Sequence, residues 1–146
     1  MFNLSVKVEY GILGVLALSL HAGRLPLSAR TIARKEKLSV RFLEQAMTQL
    51  REKGIIESVR GPQGGYRLAR EPQEIKLSDV ILAMEGEGRR KDTPPASLSS
   101  SSGKKVVNEM VGSAETILEN YFTKIAFDHL VRQVKIVDEE ALTYHI

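Results

Sequence analysis

The sequence predicts a mainly α chain with a small β-hairpin wing: a winged helix-turn-helix domain plus a long dimerisation helix. Three observations predict it. Two short helical patterns meet at a tight break around Lys37 and Leu38. Two short β patterns follow at once, on either side of a Gly/Pro turn at residues 60–65. A single helix-spaced apolar stripe of about six turns then lies beyond a Gly/Pro/Ser-rich stretch.

Taken in order, Val8, Ile12, Val15, Leu16, Leu18 and Leu20 suit a mostly buried helix over about residues 4–22. Gly23 ends it and Pro26 blocks continuation. Ser28 is a natural N-cap for a helix over 29–36, with Ile32 and Ala33 turned inward. After Lys37 and Leu38, Ser39 caps a second helix reaching about Lys53. Its apolar residues, Leu43, Ala46, Met47 and Leu50, share one face, and Gly54 stops it. Residues 55–59 read as a strand, 60–65 as a turn and 66–69 as the returning strand. Ser78 is expected to cap a helix carrying Val80, Ile81, Leu82 and Met84 and ending near Gly86.

Residues 86–103 lose all apolar periodicity and read as a flexible loop. Val107, Met110, Val111, Ala114, Ile117, Leu118, Tyr121, Phe122 and Ile125 then restore a helical stripe over 104–126. An 85-residue domain offers little surface to cover it, so its expected partner is the same helix of a second chain. Asp128 is expected to cap a last short helix. The expected organisation is a winged helix-turn-helix domain at 1–86, a loop at 87–103, and a dimerisation helix with a C-terminal segment at 104–146.

Composition narrows the chemistry. The chain has 146 residues, 42% of them hydrophobic, enough for a modest core. Without cysteine there is no disulfide, thiolate nucleophile or cysteine-ligated metal. The first residues lack signal-peptide character. The apolar run from Tyr10 to Leu20 falls short of the roughly 20 residues a membrane span needs. A cytoplasmic protein without a membrane partner is expected.

Charge is unevenly placed. Residues 28–70 hold ten basic and four acidic side chains, a net +6, whereas the whole chain is +3. Such asymmetry fits a surface facing a polyanion, and equally an ordinary solvated face. No Gly-rich loop precedes a helix, and His21, His129 and His145 stand apart. Glu85 and Glu87 lie close in sequence, but a flexible loop holds paired carboxylates poorly. No catalytic residue, cofactor or metal site is expected, so an enzyme is not.

DNA binding fits the residues better. A helix starting at Ser39 would enter the major groove N-terminus first. Arg41 suits guanine, Gln45 adenine and Glu44 cytosine, while Phe42 could touch a thymine methyl. Two alternatives stay open: Phe42 as a core residue, and Glu44 as a local partner of Arg41 or Lys37. Arg60, with Gly61 beside it, could reach a narrow minor groove from the turn. Lys7 is a candidate phosphate contact. A winged-helix protein-interaction module that does not bind DNA specifically is the alternative to a DNA-binding regulator.

Three segments carry a family resemblance: Val40–Gln45; Leu50–Ile56; and Ser58–Arg70, with Arg60-Gly61-Pro62-Gln63-Gly64-Gly65-Tyr66 at its centre. Together they resemble the Rrf family of bacterial winged-helix transcriptional regulators, the IscR-, NsrR- and CymR-like proteins. Leu4–Tyr10 matches the family's opening, and Ile125–Val131 resembles its closing motif. The resemblance implies a homodimer with crossing long helices, acting on a pseudo-palindromic operator of double-stranded DNA, as a repressor. It implies base reading by Ser39, Arg41, Phe42, Glu44 and Gln45, and a minor-groove contact from Arg60. It also implies backbone bracing by Ser5, Lys7 and Tyr10.

The chain departs from the family pattern in three places. Arg41 replaces a small polar residue, and Lys37-Leu38 fill a turn where glycine is common. The loop after Gly86, where cluster-bearing relatives place three cysteines, holds none. Serine hydroxyls there are poor substitutes for thiolates. The input signal stays open between a small-molecule effector, a partner enzyme and abundance alone.

Overall fold

The computed structural model describes residues 4–86 and 101–145. Helix α1 (Val6–Leu20) starts where Ser5 Oγ accepts the Val8 amide at 3.3 Å. It runs through the centre of the domain, with Val8, Val15, Ala17 and Leu18 buried. Gly11 and Gly14 are buried too, and they let neighbouring side chains lie directly on its backbone. A Cβ at Gly11 would land on Met84 Cγ, and one at Gly14 would meet Met47 Sδ at 2.8 Å. The α1 helix is shorter at both ends than the expected 4–22, because Ser5 caps one end and His21 the other.

Helices α2 (Ala29–Glu36) and α3 (Val40–Glu52) form the helix-turn-helix, each entered through the expected serine cap. Ile32 and Ala33 of α2, and Leu43, Ala46, Met47 and Leu50 of α3, are buried as their spacing predicts. Lys37 caps α2 in the left-handed conformation, φ 57° and ψ 45°, and is the one non-glycine residue with positive φ among the described residues. The unusual turn composition is therefore a strained backbone, at a site where glycine would sit without penalty.

Strands β1 (Ile56–Val59) and β2 (Gly65–Leu68) pair antiparallel, Ile56 with Leu68 and Val59 with Gly65. The hairpin is also fastened at its base. Leu27 exchanges both backbone hydrogen bonds with Tyr66, at 3.0 and 2.7 Å, tying the α1–α2 connection to β2. Gly65 has φ 154°, and a Cβ there would run into the Leu27 carbonyl, so only glycine allows this approach.

A short 3₁₀ turn (Pro72–Glu74) leads into α4 (Leu77–Glu85). Its N-cap is Lys76, not the expected Ser78. The Lys76 amide donates to Asp79 Oδ2 at 2.9 Å. Long-range pairing displaces the cap: Leu77 N–H donates to Ile125 O, and Phe127 N–H to Ile75 O. These bonds keep residues 75–76 extended and start the helix immediately after them.

Helix α5 (Ser102–Thr123) is capped by Ser101 and begins two residues before the expected position. The expected loop over 87–103 lies outside the described residues up to residue 100. No residue of α5 is buried, and Val106, Val107, Met110, Val111, Ile117 and Tyr121 are all exposed. Helix α6 (Phe127–Tyr144) has 18 residues and is not short; its N-cap is Ala126, while Asp128 lies inside it and pairs with Arg132 at 2.9 Å. Phe127, fully buried, completes the core formed by α1, α3 and α4. Among the described residues, no helix is long and apolar enough to cross a membrane.

Candidate nucleic-acid interface

The helix-turn-helix exposes one polar face of α3. Burial of Leu43, Ala46, Met47 and Leu50 turns Arg41, Phe42, Glu44 and Gln45 outward, and all four are exposed. Phe42 is 57% exposed, so it is not a core residue. Its ring instead meets Tyr10 edge to face, with centroids 6.3 Å apart. Among the described residues no ion pair joins Glu44 to Arg41 or Lys37, which leaves its carboxylate on the open face.

Arg41, Glu44 and Gln45 line a shallow groove of about 660 Å³ with Thr48, Gln49, Glu52, Lys53 and Gly86. Sequence reasoning missed the second half of this groove. The signal was present, since Gln45, Gln49 and Lys53 recur at helical spacing on the same face.

Two further sites flank α3. At the start of α1, Ser5, Lys7 and Tyr10 lie within two turns, with Lys7 exposed and Tyr10 half-buried. Lys7 and Tyr10, three residues apart, share a helix face. Tyr10 also reaches α3, where its hydroxyl accepts the Ser39 amide at 3.0 Å. At the wing tip, Arg60 and Gly61 are exposed. Gly61 has φ 115°, and the Gly64 amide donates to its carbonyl at 2.9 Å, closing the turn. The structure thus brings Tyr10, Ser39 and Phe42 into contact, gathers Arg41, Glu44 and Gln45 in one groove, and leaves Arg60 and Gly61 on a separate projection.

The basic window also resolves into two groups. Arg67 pairs with Glu57 across the hairpin at 3.1 Å, and Arg70 approaches Asp79 at 3.9 Å and the Glu74 carbonyl at 3.4 Å. Among the described residues, no ion pair engages Arg30, Arg34, Lys35, Lys37, Arg41, Arg51, Lys53 or Arg60. Such exposed cations on the helix-turn-helix and wing can neutralise phosphates at no cost in broken pairs.

This architecture has solved counterparts. It is similar to a structure of IscR from T. potens, with TM-score 0.73 and 34% identity, covering 91% of this chain and 88% of that one. It is also similar to CymR, the global cysteine regulator of B. subtilis, with TM-score 0.74 and 28% identity, covering 91% and 98%. In sequence, 83 residues are 39% identical to the HTH-type transcriptional regulator IscR of Aliivibrio salmonicida, covering 57% of this chain and 49% of that protein. Over 84 residues the chain is 39% identical to CymR of Bacillus subtilis, covering 58% and 61%. The chain therefore spans about half the length of the curated relatives it matches.

The family model for Rrf2, described as an iron-dependent transcriptional regulator, matches residues 4–133. An iron–sulfur cluster in such a protein requires thiolate donors. The sequence contains no cysteine, and among the described residues no cluster of three or more His, Asp or Glu could hold a metal ion. The residues present do not fit that group. With the family model covering residues 4–133, and solved IscR and CymR structures similar over 91% of the chain, the chain belongs to the Rrf2 family of transcriptional regulators.

Proposed function

We propose that this protein is a DNA-binding transcriptional regulator, a repressor acting as a homodimer on a pseudo-palindromic operator, without an iron–sulfur cluster. The observation that carries the reading is the exposure of Arg41, Phe42, Glu44 and Gln45 on one face of α3, with Arg60 standing free on the wing. Ser39 leads α3 into the major groove, Arg41 donates to guanine O6 and N7, Gln45 reads adenine and Glu44 accepts from cytosine. Phe42 lies against a thymine methyl, and Arg60, with Gly61, follows the minor groove. Ser5, Lys7 and Tyr10 meet the backbone and set the register.

The exposed apolar stripe of α5 favours pairing with the same helix of a second copy. A two-fold dimer carries two recognition helices and therefore reads two half-sites about 34–36 Å apart, or a multiple of that spacing. With no cluster, the signal is a small-molecule effector, a partner enzyme or the abundance of the protein. Genomic selection of bound fragments tests the reading. Enrichment of a discrete inverted-repeat sequence is the expected result. Uniform recovery of unrelated fragments would instead favour a protein-interaction module on the same scaffold.

A further inference from the structure

A capping box closes a helix start with two reciprocal bonds. The N-cap Ser or Thr accepts the N3 amide, and a Glu or Gln at N3 reaches back to accept the N-cap amide. Helix α3 has only the first half. Ser39 Oγ accepts the Phe42 amide at 3.5 Å, but Phe42 occupies N3 and has no acceptor to return. The Ser39 amide is satisfied from another helix: it donates to Tyr10 Oη at 3.0 Å, across 29 residues of sequence. The Phe42 ring, at the position where Glu would stand, packs against the same tyrosine with ring planes at 87°.

This arrangement has an electrostatic consequence. A carboxylate at N3 would complete the box, yet it would stand on the exposed face next to Arg41 and repel phosphate. Tyr10 supplies the missing acceptor without charge. It also joins α3 to α1 just after the strained Lys37 turn, whose other closure is the Leu38 amide on Ala33 O at 2.8 Å. Both bonds hold the two-residue turn, and only the one from Tyr10 acts on the first turn of α3.

We propose that Tyr10 is a positioning residue for base reading: it completes the α3 N-cap from outside the helix and so sets the direction in which Arg41 and Gln45 project. This role rests on the DNA-binding reading above and deepens it. A backbone brace would strengthen binding to any sequence. A residue that also aims α3 adds a contribution that only the correct sequence receives.

The test is Tyr10→Phe, which keeps the ring and removes the acceptor. In the free, isotopically labelled protein, Ser39 amide exchange should accelerate roughly tenfold or more, since that proton loses its partner. The recovered genomic fragment, competed against poly(dI-dC), should lose about three- to tenfold of its preference, the scale of one hydrogen bond, beyond any loss in affinity for poly(dI-dC) itself. Adding Phe42→Glu to Tyr10→Phe restores the box and should return the slow Ser39 exchange. Unchanged Ser39 exchange in Tyr10→Phe overturns the proposal. So does an equal loss of affinity for both DNAs, which marks a plain phosphate contact. If the wild-type chain itself shows no sequence preference, the DNA reading and this role fall together, an outcome visible before any substitution is made.

Discussion

The side-chain amide of Gln49, in the last turn of α3, donates to the Ala83 carbonyl at 2.7 Å and to the Met84 carbonyl at 3.4 Å. The last carbonyls of a helix have no partner inside it, and here α3 supplies one to α4 from the side. Both partners are acceptors, so only an amide nitrogen serves. Gln49→Glu places a carboxylate against two carbonyls and should lower stability by about 1–3 kcal/mol; Gln49→Ala should cost about 1 kcal/mol. Urea unfolding checks this, with a shift in midpoint and an unchanged slope.

Lys37 stands in the left-handed region between α2 and α3. Lys37→Gly should stabilise the fold by about 0.5–1 kcal/mol, because glycine adopts that conformation without a Cβ clash. Lys37→Val should destabilise it, since branching at Cβ aggravates the same clash. Thermal unfolding of the two variants should move in opposite directions from the parent.

Gly65 sits where β2 passes against the Leu27 backbone. Gly65→Ala should cost about 2–4 kcal/mol, as there is no flexible side chain to yield and the paired Leu27–Tyr66 backbone must move. Calorimetry gives the stability loss. Amide exchange should show the Leu27 and Tyr66 protons opening first.

Arg41 and Arg60 act at different depths of the duplex in the proposed complex. Arg41→Ala should cost about 1–3 kcal/mol at one base position and leave others unaltered. Arg60→Ala should weaken operator binding and relax preference at an A·T-rich step. Gel-shift titrations over a set of single-base operator variants separate the two patterns. Indifference to either substitution would remove that residue from the interface.

Met110 and Ile117 lie on the stripe of α5 and are exposed in the single chain. Met110→Glu combined with Ile117→Glu should give monomers, because two charges would be buried without partners in a helix–helix contact. Light scattering gives the mass directly. A dimer of unchanged stability would place the interface elsewhere.

Much of the fold is legible in the sequence because its signals are local. The serine caps at 28 and 39, the glycine stops at 23 and 54, and the three-and-four spacing of Leu43, Ala46, Met47 and Leu50 each act within one or two turns. The outward face of α3 follows from the inward one. The two misplaced caps share a cause. Ser78 and Asp128 are good caps in isolation, but pairing between residues 75–77 and 125–127 moves both helix starts. A backbone hydrogen bond across some 50 residues leaves no periodic trace, so the nearest good capping residue is chosen wrongly.

By itself, the sequence determined the helix-turn-helix, the wing, the basic bias of that region and the absence of thiolate ligands. Only the tertiary structure decided that Tyr10 completes the cap of α3, that Gln49 closes α4, and that Phe127 returns to fill the core. The division has a physical reason. Helix period, caps and turns depend on neighbours a few residues apart, which any sequence displays. Which polar group satisfies a distant amide depends on how helices cross, and that is settled only when the buried faces have packed.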